Sequence, residues 1–167
     1  MRSDSLKRPG HPSFAKSHRG FSLIELIFTV VILLIMTALA VPMTINAVQS
    51  FKLNAAAVSA ANAISATRYQ AIMNGYPFQL ALDPTTMTYQ AKNKVPPAVI
   101  FSNTGNTIPI GGSSSVVLSA ATTLQFNPGG TVSAVAGAMN FTLTYAGRGK
   151  QITVSNLGDV KVTDFTP

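Results

Sequence analysis

Cysteine is absent from the 167 residues. That excludes disulfides, thiol catalysis, thiolate metal sites and a lipoprotein anchor. An exported domain can fold without disulfides when its core is large enough, so the absence remains compatible with the periplasm. Histidine is almost absent: His11 and His18 both lie in the first 20 residues. Glu25 is the only Glu, and the acids after it are Asp83, Asp159 and Asp164. General acid–base work needs a group titrating near the working pH, and nucleophilic catalysis needs a base beside the nucleophile. Beyond Glu25 no His, Cys or Glu is left for either role. The expectation is a protein that is not an enzyme, with no cofactor and no metal centre. A hard-cation site would need more oxygen ligands than Asp159 and Asp164 supply.

Glycine-rich phosphate loops are missing too. Gly129-Gly130 and Gly147-Arg148-Gly149 lack the strand-to-helix context and the Lys-Ser/Thr pair such a loop needs, so they read as hairpin turns. The net charge of +7 invites a nucleic-acid reading, but its distribution weakens it. Residues 1–20 hold five basic residues (Arg2, Lys7, Arg8, Lys16, Arg19) against Asp4, leaving seven basic and four acidic residues, a charge of +3, for the remainder. Positive charge ahead of an apolar segment keeps that end in the cytoplasm. Arg148, Lys150 and Lys161 form a small candidate basic patch with at most a weak nucleic-acid contact. Nucleic acid is not the expected partner.

What the chain does have is an uninterrupted apolar run. From Phe21 to Val41 there are 21 consecutive residues with one charge, Glu25. As a helix this covers roughly 30 Å, the thickness of a bilayer's hydrocarbon core. Glu25 is a functional candidate, because a carboxylate in such a segment costs several kcal/mol unless paired or near the interface. Its position near the helix start also allows a simpler reading, an acid that reaches water. An ordinary signal peptide is a competing description, with Leu26 to Met36 as its apolar region and Ala38-Leu39-Ala40 as a cleavage site releasing a chain that starts at Val41. Glu25 is poorly placed for that.

Pro42 removes a backbone donor and should kink or loosen the helix locally. Val48, Phe51, Ala55, Val58 and Ala61 then recur at three and four residues, with Tyr69, Ile72 and Met73 continuing the apolar side. Asn74-Gly75 is a stop signal. A helix from Phe21 to about Asn74 would be roughly 80 Å long. After Gly75 the period changes to two. Strands are predicted at 78–82 and 87–90 around an Asp83-Pro84-Thr85-Thr86 turn, then at 98–101, 116–118, 123–126, 131–135, 139–145, 151–155 and 160–163. Residues 102–115 read as a long exposed loop. About 120 residues after the apolar run are enough for an independent core.

Gly20-Phe21-Ser22-Leu23-Ile24-Glu25-Leu26, behind a basic leader and opening an apolar helix, resembles the processing site of type IV prepilins and type II secretion pseudopilins. Pro42 sits where many pilins carry a proline. Downstream, Ala66 to Gly75, Phe126-Asn127-Pro128-Gly129-Gly130 and Ser155-Asn156-Leu157-Gly158-Asp159-Val160 are similar to the H-type minor pseudopilins (the GspH/FimT family). The chain departs from them in its fairly long leader and in carrying Gly158-Asp159 where a basic Gly-Arg pair would stand.

The resemblance implies an α+β fold: a long N-terminal helix, transmembrane in its first half, packed against an antiparallel β-sheet domain in the type IV pilin manner. It implies a leader at 1–20, expected to be disordered and removed by a prepilin peptidase after Gly20, and an N-methylated Phe21. A transmembrane and filament-core helix would cover 21–45, and an amphipathic helix plus β domain 46–167. Glu25 and Pro42 would act in assembly. The partners would be other pilin or pseudopilin subunits and, before assembly, inner-membrane lipid, with the globular domain in the periplasm. The function implied is a structural, minor subunit of a type II secretion pseudopilus or type IV pilus. A major shaft pilin and a DNA-binding minor pilin are the alternatives.

Overall fold

The structure is a computed structural model that describes residues 20–112 and 115–166; the expected leader, apart from Gly20, lies outside the described residues. Two compact units divide the chain, Met1–Val41 and Pro42–Pro167. Helix α1, Leu23–Asn74, enters both.

In the first unit α1 is apolar on every side. Leu, Met and Ala favour the helix, and the β-branched Val and Ile among them cost little. Thr29 and Thr37 turn their hydroxyls inward, donating to the carbonyls of Leu26 (2.8 Å) and Leu33 (2.7 Å). That satisfies the only side-chain polar groups between Glu25 and Val41 without a partner from outside the helix. Every residue of this stretch is exposed. α1 continues through Pro42, although Pro42 has no N–H to donate.

In the second unit α1 has one buried face: Leu53, Ala56, Ala57, Ala60, Ala63, Ile64, Thr67 and Ala71. This corrects the expected apolar side. Phe51 is 73% exposed and Val58 56%, and Tyr69, Ile72 and Met73 also face outward, while Leu53 is 3% exposed. The helical period is as expected and its phase is not. Large apolar side chains mark the outer face because the β layer takes the small one, where alanines let backbones approach closely. Gly111 shows how closely: a Cβ there would lie 2.6 Å from the Ala56 Cβ. α1 ends as expected, with Gly75 N–H bonded to the Ala71 carbonyl at 3.2 Å and Gly75 at φ 74°.

The strands are β1 (Phe78–Asp83), β2 (Thr88–Asn93), β3 (Ser102–Asn103), β4 (Ile108–Pro109), β5 (Val117–Leu118), β6 (Thr122–Phe126), β7 (Val132–Ala136), β8 (Asn140–Tyr145), β9 (Arg148–Val154) and β10 (Val160–Phe165). Among the described residues they form two antiparallel sheets. One has the order β3-β2-β1-β6-β7 with β4 also on β2, and the other β10-β9-β8-β5. Period-two alternation puts Phe78, Leu80 and Leu82 of β1 and Leu124 and Phe126 of β6 on the inner face. Phe141, Leu143, Ile152 and Val154 do the same for the other sheet, and all join the α1 face in one buried cluster.

Three local expectations are corrected. Residues 98–101 form no strand; they are irregular chain following a turn over 95–98, in which the Ala98 N–H bonds to the Val95 carbonyl at 2.8 Å around a cis Pro96–Pro97 bond. The supposed exposed loop 102–115 contributes β3 and β4 and buries Ile110 completely in the core cluster, with Gly111 beside it lying against Ala56 of α1. Arg148 belongs to a strand rather than a turn. The connection is the two-residue Ala146-Gly147 pair, at φ 50° and 74°, with Tyr145 paired to Arg148. Those left-handed angles suit the twist of a tight hairpin.

Candidate functional site

Two places carry the residues singled out by the sequence. The first is the start of α1. Gly20, Phe21 and Ser22 precede the helix, and the Ser22 carbonyl accepts the N–H of Leu26 at 3.1 Å. Glu25 sits in the first helical turn, where a carboxylate complements the partial positive charge of unpaired N–H groups. Phe21 is 80% exposed, and among the described residues the apolar side chains after it have no cover. The helix is long and apolar enough to cross a membrane by length and composition. Among the described residues nothing covers this surface, and an apolar surface of this size is unfavourable in water.

The second is the hairpin between β8 and β9. Arg148 donates to Asn46 Oδ1 at 3.3 Å and to Ser50 Oγ, so the guanidinium lies along α1 at positions four residues apart. Lys150 Nζ pairs with Asp164 at 2.6 Å. The two residues are directly opposite in the β9–β10 register and therefore share a face. Lys161 stands opposite Thr153, on the other face of that sheet. The structure thus brings Arg148 and Lys150 together and leaves Lys161 apart. Among the described residues no group of three or more His, Cys, Asp or Glu is placed to hold a metal ion.

Sequence reasoning missed the role of Arg68. Its Nε donates to the Gly130 carbonyl at 3.1 Å, and a Cβ on Gly158 would overlap its side chain. The Val132 N–H reaches the Asn156 carbonyl at 2.8 Å, joining the neighbouring turns. Gly158, at φ 82°, is therefore a position where both conformation and space ask for glycine. The three downstream segments that carried the family resemblance meet around one guanidinium. Their clustering is a packing requirement of the fold; a basic residue near the end of α1 and two glycine turns were its only signals.

Comparison with known proteins adds two findings. Residues 15–41 match the model of the prokaryotic N-terminal methylation motif. No curated protein matches the chain. Among solved structures, the minor pseudopilin EpsH from the Type 2 Secretion System of Vibrio cholerae matches with a TM-score of 0.52 and 15% identity, over 68% of this chain and 97% of that one. At that identity the likeness speaks for the fold, whose long helix and antiparallel sheets are those described above. The chain thus joins a prokaryotic N-terminal methylation motif to a fold similar to that of the minor pseudopilin EpsH.

Proposed function

We propose that this chain is a structural, minor subunit of a type II secretion pseudopilus or type IV pilus. In this reading a prepilin peptidase cuts between Gly20 and Phe21 and methylates the new amine. The apolar part of α1 then holds the protein in the bacterial inner membrane, with residues 46–167 in the periplasm, and later packs among other subunits. The observation that carries the reading is the stretch Leu23–Val41, exposed on every side and directly behind Gly20-Phe21 within the matched motif. Lipid before assembly and neighbouring helices after it are the two environments able to cover such a surface.

Glu25 supplies what apolar packing lacks. Greasy surfaces attract one another without choosing an axial register, whereas a single carboxylate can choose one. Cleavage creates a positive amine at Phe21, and methylation leaves it positive. An incoming amine pairs with Glu25 of a subunit already in place, or with its own Glu25 four residues along. Either pairing offsets the several kcal/mol that an unpaired charge costs in an apolar setting. Pro42 loosens the helix after the packed segment.

The test is Glu25→Ala. The variant should be cleaved, inserted and folded as the wild type but should reach filaments poorly or not at all, with Glu25→Asp intermediate because its reach is shorter. Incorporation is measured by immunoblot of sheared filaments or of cross-linked pseudopili. Full incorporation of the Ala variant would remove Glu25 from the mechanism.

A further inference from the structure

Cations gather where the apolar run of α1 gives way to polar residues. Arg148 bonds to Asn46 and Ser50, both neutral, and Lys52 Nζ lies 5.7 Å from the Tyr145 ring centroid. Neither has a carboxylate partner among the ion pairs of the described residues, where Lys150–Asp164 is the pair found. Beside them is an open cleft of roughly 510 Å³ whose lining includes Ser50, Asn54, Arg148, Lys150, Asp164 and Thr166. Hydroxyl, amide, ammonium and guanidinium donors facing one space are the set that holds a phosphate ester.

Chain connectivity says which phosphate is at hand. Asn46 and Ser50 follow Val41, the end of the apolar run, by five and nine residues. In helix that is about 8 and 14 Å, against a headgroup layer of about 5–8 Å on each side of the hydrocarbon. The Asn46 end of the guanidinium's hold on α1 therefore falls at the outer edge of that layer. DNA would need a row of cations along its backbone, and Lys161, the residue that would extend the row, is on the opposite sheet face. A single headgroup needs only the cleft.

We propose that this cleft binds the phosphate of an acidic phospholipid headgroup while the chain is in the membrane, holding the globular part against the bilayer until the subunit is drawn into a filament. The inference rests on the membrane-inserted reading above. Each cation near an anionic surface contributes about fivefold in affinity, so Arg148 in the cleft and Lys52, on the adjoining surface outside its lining, together give about 25-fold.

The experiment uses the mature full chain in nanodiscs of zwitterionic lipid alone or with phosphatidylglycerol, with liposome flotation as the check on insertion. Hydrogen exchange of peptides covering 46–54 and 145–150 should slow in the phosphatidylglycerol discs, by up to about 25-fold if binding follows the charge arithmetic. The slowing should vanish at about 0.5 M salt, where screening acts over a few Å. It should also vanish in the Lys52→Gln/Arg148→Gln variant. Asp164→Asn should strengthen it by freeing Lys150. Equal exchange in both lipids for an inserted chain would overturn the proposal. So would a duplex oligonucleotide that protects these peptides more than phosphatidylglycerol does, making nucleic acid the occupant. A chain that fails to float with liposomes would refute the membrane reading itself, and this inference with it.

Discussion

Leu53 and Phe51 are two residues apart on α1, and the fold gives them opposite fates. Leu53 is 3% exposed and belongs to the central cluster; Phe51 is 73% exposed. Truncating a buried Leu to Ala removes its transfer energy and leaves a cavity, at a cost of about 2–5 kcal/mol. Against a total stability of about 5–15 kcal/mol that is a large fraction. At about 2–4 °C per kcal/mol for a chain of this size, Leu53→Ala should lower the melting temperature by roughly 4–20 °C. Phe51→Ala removes a larger side chain from the surface and should cost within about 0.5 kcal/mol, or under 2 °C. Thermal unfolding of the detergent-solubilised mature chain, followed by near-ultraviolet circular dichroism, reads both. The filament assay should give the reverse order where the outward stripe meets neighbouring subunits, with Phe51→Ala impaired in incorporation despite normal folding. A Phe51→Ala melting point as low as that of Leu53→Ala would refute the assignment of the buried face.

Gly20→Val should leave the precursor uncut, seen as a slower-migrating band, whereas N-terminal sequencing that returned Val41 would establish signal-peptide cleavage instead. Gly158→Ala forces a side chain into φ 82° and onto Arg68, and should destabilise by about 2–4 kcal/mol in thermal unfolding, with Arg68→Ala partly rescuing the double variant by removing the overlap. The Asp83 carboxylate accepts the Thr85 N–H at 2.8 Å and then the Thr86 hydroxyl at 3.0 Å, which holds its pKa below the ordinary value of 3.8. A depressed folded-state pKa contributes stability above the unfolded value that is lost as pH falls through the folded one. The melting temperature should therefore drop less below pH 4 in Asp83→Asn than in the wild type, and identical acid profiles would refute that role.

The sequence by itself determined the elements set by neighbours along the chain. The apolar run from Phe21 to Val41, the stop at Gly75, the hairpin around Asp83 and the alternating strands depend on composition and spacing within a few residues, so the order of amino acids is enough to locate them. The same holds for the placing of Gly20, Phe21 and Glu25 within the N-terminal methylation motif. Tertiary structure alone decided which side of α1 is inner, because a sheet packs where side chains are smallest, and hydrophobicity ranks Phe51 and Val58 above Ala56 and Ala60. It also decided that Ile110 returns to the core and that Arg68 draws together turns some sixty and ninety residues away. The parting of Lys161 from Arg148 and Lys150 is of the same kind. A basic residue's position in sequence says nothing of its sheet face until strand register is known, and register is settled by which apolar side chains reach the core.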